Sequence, residues 1–181
     1  MPGASVQQTA GDVRMNVREF LALVDAALPE ALPPGYRTYT SRIAFGFVQL
    51  HFGDPRVHYE CWVQRKTGLL EIGLHFEGHR EFSYGWAAAL EERLHEVMDG
   101  LTPAVELEEW TERWARLHER WPAPQLDEAL AGRAAARLAD YVAVLQPIVE
   151  ALAPQFAALI PPPRDDPSPR RRRAPGSRPA L

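Results

Sequence analysis

The residues of this sequence best suited to chemistry are imidazoles and carboxylates grouped between positions 51 and 79: His51, His58, Glu60, His75, Glu77 and His79. Two short turns decide whether they meet. If Phe52 pairs with Val57 across Gly53-Asp54-Pro55-Arg56, and Lys66-Thr67-Gly68 closes a bulged turn, then His51 opposes His58 and His58 opposes His75. Three imidazoles then form one row across three strands. Adjacent strands lie about 4.8 Å apart and opposed Cβ atoms about 5 Å apart, so neighbouring rings can converge on one ion with bonds of about 2.0–2.1 Å. Glu60 sits one row along, and Glu77 and His79 share the face if the strand continues past His75. Such a set suits Zn2+ or another first-row divalent ion, and an open coordination position on that ion would make hydrolysis available by acidifying a bound water. The competing reading has no cofactor: solvated or stacked histidines on a half-wet sheet face, because the outer rings of a straight row must lean across about 9.6 Å.

Other catalytic patterns are missing. There is no glycine-rich phosphate loop, no Gly-x-Ser-x-Gly, no His-Glu-x-x-His and no cysteine pair at metal spacing; His118-Glu119 opens like the zinc motif but lacks its second histidine. Cys61, the single cysteine, excludes an intrachain disulfide and falls on the apolar side of its strand, which reads as an inert buried thiol.

The elements that must position these groups follow from periodicity. Residues 1–15 read as a flexible leader. A first helix starts at Asn16, with Glu19 completing a capping box and Val17, Phe20, Leu21, Val24, Ala27 and Leu28 forming its apolar stripe, and Pro33-Pro34-Gly35 ends it. Three strands, 43–52, 57–65 and 69–76, form an antiparallel meander with one continuous apolar face that includes Val48, Leu50, Tyr59, Cys61, Leu70, Ile72, Leu74 and Phe76. A second helix spans 81–99. In 105–121 the spacing of Leu107, Trp110, Trp114, Leu117 and Trp121 favours a helix, while alternation keeps a hairpin open, which would make five strands. A last helix covers 126–152. The fold class is therefore α+β, a two-layer meander packed on amphipathic helices, with one globular domain over 16–160 and a disordered Pro/Arg-rich tail over 161–181.

The outer sheet face also carries Ile43, Phe45, Phe47, Trp62 and Leu69. A half-apolar outer face needs a cover, either a helix of the same chain or another molecule, and Phe45, Phe47 and Trp62 are the expected partner-binding residues. The order helix, meander, helix, hairpin, helix resembles small two-layer modules such as bacterial secretion chaperones. That likeness implies binding of other proteins through a sheet face and dimerisation; it rests on topology, with no motif residue behind it.

Charge adds little more. The net −4 divides into +4 over residues 161–181, where six Arg face Asp165 and Asp166, and −8 over the rest. Arg170, Arg171, Arg172 and Arg173 suit weak, salt-sensitive nucleic-acid association, but an acidic body argues against nucleic acid as the main partner. No signal-peptide pattern and no apolar run long enough for a bilayer stand out, so a cytoplasmic protein without membrane attachment is expected. Arg-rich, Lys-poor composition with abundant Ala and Pro suggests a bacterial source. The sequence points first to a non-catalytic interaction or adaptor module that binds a protein partner or itself. A metal-binding protein or metal-dependent hydrolase is the second reading.

Overall fold

The structure is a computed structural model that describes residues 15–157. The expected leader up to residue 14 and the expected basic tail, Arg170–Arg173 included, lie outside the described residues. Six antiparallel strands form one open sheet in the order β1-β2-β3-β4-β6-β5, with helices on one face. The two-layer α+β class stands, and the three-stranded meander is corrected to six strands.

Helix α1 (Val17–Ala31) begins as its sequence dictates. Asn16 Oδ1 accepts from the Glu19 amide and Glu19 Oε2 accepts from the Asn16 amide, both at 3.0 Å. The stretch read as one strand, 43–52, is instead a hairpin of β1 (Thr40–Ala44) and β2 (Phe47–His51), joined by the two residues Phe45 and Gly46. Their φ values are +45° and +99°, as a two-residue turn of this hand requires. Gly46 adopts this backbone freely; Phe45 does so against the clash of its Cβ. Apolar alternation runs unbroken through the turn, and Phe45 stands where turns of this kind favour Asn or Asp, so the sequence hid it.

Strands β3 (Val57–Gln64) and β4 (Leu69–Phe76) pair in the expected register, with His58 opposite His75, Cys61 opposite Ile72 and Val63 opposite Leu70. The turn between them uses four residues, and Gly68 takes its φ of +68° there. The single helix read over 81–99 breaks at Glu92-Arg93 into α2 (Arg80–Glu91) and α3 (Leu94–Gly100). The 105–121 segment resolves as the hairpin, β5 (Glu106–Glu109) and β6 (Ala115–Pro122). Strand β6 inserts between β4 and β5 and pairs along the whole of β4, from Leu69 with Pro122 to Phe76 with Ala115. A full ladder plus inward Ala115 and Leu117 outweighs the helical spacing of the tryptophans.

Helix α4 (Glu128–Phe156) is capped by Asp127, whose Oδ1 accepts from the Leu130 amide at 2.7 Å. It packs beside α1 on the inner sheet face, with Leu130, Ala134, Leu138, Tyr141, Leu145 and Val149 buried, over Val48, Leu50, Tyr59, Cys61, Ile72, Leu74 and Leu117. Trp86 of α2 stacks between Phe76 and Phe156, at centroid separations of 5.6 and 4.4 Å. Among the described residues no helix is long and apolar enough to cross a membrane.

Candidate functional site

Because the helices lie on the inner face, the other parity of each strand is left to cover itself. Three rows cross the sheet there. Phe47, Trp62, Glu71 and Arg120 form the first; Gln49, Glu60, Gly73, His118 and Glu106 the second; His58, His75, Arg116 and Glu108 the third. The polar side chains at the centre of these rows are nevertheless buried: Glu71 and His75 are 1% exposed, His58 2%, His118 0%. Trp110, just after β5, leans onto them. Its ring meets His75 edge-on at 5.7 Å, lies 4.6 Å from the Arg116 guanidinium carbon and contacts Trp62 and Trp114 at 6.1 and 5.7 Å.

Glu71 is the hub. Its Oε1 accepts from Arg116 at 2.7 Å, its Oε2 from Gln64 at 2.7 Å, and His75 and His118 each bring a nitrogen to 3.5 Å of it. Arg116 also donates to Glu108 through Nε and Nη2, at 2.8 and 2.6 Å. Burial alone would raise the Glu71 carboxyl; the imidazole of His75 beside it and the nearby Arg116 and His118 outweigh it and hold the group below the usual carboxylate value. Glu60 moves the other way, raised by burial. His118 is pushed down, first by burial.

The two stacked histidines, 5.6 Å between centroids, are opposite in character. The Nδ1 of His58 lies 2.9 Å from the Pro55 carbonyl, which only accepts, so that nitrogen carries the proton and Nε2 presents a lone pair. Burial and the charge of His75 lower the pKa of His58 to about 4. For His75, burial is outweighed by Glu71, Glu77 and Glu60, and its value rises to about 9. The side-chain amide of Gln49 fills the space between His58 Nε2 and Glu60 Oε2, at 2.9 and 2.6 Å, while its oxygen accepts from Arg42 Nε at 2.7 Å.

Of the sequence-selected metal set, the fold unites His58, Glu60 and His75, with Glu77 at 3.6 Å from His75 Nδ1. It leaves out His51, whose ring turns to the Gly53 carbonyl at 2.9 Å beyond the end of the β2–β3 ladder. It also leaves out His79, which caps α2 through Nδ1. Cys61 is buried on the inner face, its thiol raised by desolvation, as an inert core group. The structure separates the residues expected to bind a partner. Phe47 and Trp62 stay paired on the outer face, beneath Arg42 and against Trp110, while Ile43 shares the face of Val48 and Phe45 stands in the hairpin turn.

Gln49, Glu71, Arg116, His118 and Trp110 were not among the expected metal or partner residues. Two signals pointed to them. Alternation in 115–121 places Arg116 and His118 on the parity opposite Leu117, and a glycine in mid-strand at 73 marks a close approach. A Cβ there would stand 2.6 Å from the Leu117 carbonyl oxygen and 2.7 Å from the His118 Cβ.

A different surface exists at the sheet edge. Phe45 projects 97% exposed from the hairpin tip, and beside it α1 and the hairpin enclose a groove of about 830 Å³ lined by Val17, Leu21, Ile43 and Val63, with Arg18 and Arg65 on its rim. Strand β1 is one sheet edge and has no Pro, Lys or bulge to block pairing; β5, the other edge, is four residues long and carries Glu106, Glu108 and Glu109. Compared with protein-family models, curated proteins and solved structures, the chain matches none of them.

Proposed function

We propose that this protein is a non-catalytic interaction module that pairs through the open edge β1 with a second copy of itself. The observation that carries this reading is Phe45: a bulky side chain 97% exposed and held at φ +45°. Left-handed backbone costs an ordinary residue about 1–2 kcal/mol, and full exposure of the ring returns nothing to the monomer. The same patch holds a projecting aromatic ring and an apolar groove, and a two-fold interface needs a surface that complements itself. Antiparallel pairing of β1 with its copy also satisfies the open backbone groups on both chains. On the outer face, by contrast, His58 and His75 are only 2% and 1% exposed.

Light scattering on the eluting protein tests this. The wild type elutes as a dimer at tens of micromolar, and Phe45→Asp as a folded monomer with an unchanged far-ultraviolet spectrum. Phe45→Asn separates function from structure: it also dissociates the dimer, yet the isolated chain gains about 1 kcal/mol in urea unfolding because Asn tolerates this backbone. A monomeric wild type removes self-association and leaves a different protein as the partner. Loss of stability in Phe45→Asn assigns the ring to the fold rather than to binding.

A further inference from the structure

We infer that His58, Glu60 and His75 form an outer-face site for one divalent first-row cation, Zn2+ being the best match, which clamps β3 to β4 and serves no catalytic role. One ligand atom from each residue lies within 4.8 Å of the other two. A four-coordinate ion with bonds of about 2.0–2.1 Å wants its ligands about 3.3 Å apart, so modest side-chain rotations close the set. This inference is independent of association at β1, which involves none of these residues.

Three further observations point to an ion rather than to an ordinary polar cluster. First, His58 is already in the form a metal requires: its Nδ1 proton goes to the Pro55 carbonyl at 2.9 Å, which orients the ring and leaves Nε2 as a donor pair. Second, His75 is 1% exposed, yet neither of its nitrogens makes a hydrogen bond among the described residues; the carboxylates beside it are Glu71 at 3.5 Å from Nε2 and Glu77 at 3.6 Å from Nδ1. Whichever nitrogen turns to an ion, a carboxylate stands ready to hold the proton on the other, the outer-shell arrangement that metal-bound imidazoles use. Third, between His58 and Glu60 sits the Gln49 amide, whose two N–H groups serve two acceptors at 2.9 and 2.6 Å. A shared electropositive group between two lone pairs is what a cation would replace.

Charge supports the same conclusion. Arg116 is shared by Glu71 and Glu108, so among the described residues His75 and the more distant Arg42 are the cationic neighbours of Glu60 and Glu77. Imidazole with carboxylate selects Zn2+ or its first-row neighbours over Ca2+ and Mg2+, which prefer all-oxygen shells. Exposures of 2%, 5% and 1% for His58, Glu60 and His75 set the ion away from bulk solvent, which suits a structural role with a water completing its four-coordinate shell.

The test uses the full chain freed of metal by chelation, then titrated with Zn2+ by calorimetry and followed by thermal melting, with Co2+ as the spectroscopic probe. One equivalent of Zn2+ binds, the melting temperature rises by about 5 °C at saturation, and Co2+ gives the intense visible bands of four-coordinate geometry. His58→Gln and Glu60→Gln weaken binding 10- to 100-fold, whereas His51→Gln leaves it unchanged. Gln49→Glu covers the case in which a loss variant misfolds: it replaces the amide by a further ligand, so its Zn2+-induced melting shift exceeds that of the wild type. No stoichiometric binding by the wild type, equal weakening by His51→Gln, or a Gln49→Glu shift no larger than the wild type's would each overturn the site.

Discussion

Arg116→Ala loses about 3–5 kcal/mol of unfolding free energy, a large share of what a domain of this size holds in total. Arg116 is the guanidinium that neutralises Glu71, itself 1% exposed, and it binds Glu108 and the Trp110 ring as well. Truncation leaves a carboxylate with no route to solvent, and the cost is that of a stranded charge rather than the net worth of the pair. Urea titration measures it, and the double variant Arg116→Met with Glu71→Gln separates the two: removing both charges recovers most of the loss. Arg116→Lys recovers little, because an ammonium cannot span Glu71 and Glu108 as the fork does. The pH dependence has a definite sign. The folded Glu71 carboxyl lies below its unfolded value of 4.5, so its contribution is present above that pH and fades as the pH falls. Without Arg116 the folded value rises and this acid-dependent contribution shrinks. A loss under about 1 kcal/mol would mean that the face is wetter than described.

Gly73→Val costs more than about 3 kcal/mol, and Gly73→Ala about 2–3. Residue 73 lies at the centre of β4, where a Cβ would meet the Leu117 carbonyl oxygen at 2.6 Å and the His118 Cβ at 2.7 Å. The oxygen belongs to the backbone of the ladder partner, so no rotamer change relieves the overlap; β6 must move away from β4, and the interactions of Arg116 and His118 move with it. Gly132→Ala is the control. In α4 nothing stands within 4 Å of its added Cβ, and alanine there gains about 0.5–1 kcal/mol. Equal effects at the two positions would show that residue 73 suffers only a general glycine penalty.

What was legible in the chain follows from local rules. The Asn16–Glu19 capping box, the apolar stripe of α1 and the pairing of His58 with His75 need only side-chain chemistry and short turns that leave the strands little freedom of register. The Phe45-Gly46 turn broke those rules, since no turn-forming side chain announces it and apolar alternation continues through it. The order of the last hairpin was equally hidden. A tryptophan spacing compatible with a helix was overridden by a ladder with β4, a strand some forty residues earlier.

The sequence alone determined which residues alternate, where α1 starts and which two histidines face each other, because each depends on neighbours a few positions apart. Tertiary structure alone decided that His58, Glu60, Glu71, His75, Arg116 and His118 are buried and share one face. Polar side chains read as solvated until β6 enters between β4 and β5 and Trp110 leans over them. The environment that shifts their charges is built by strands distant in the chain, and no local pattern encodes it.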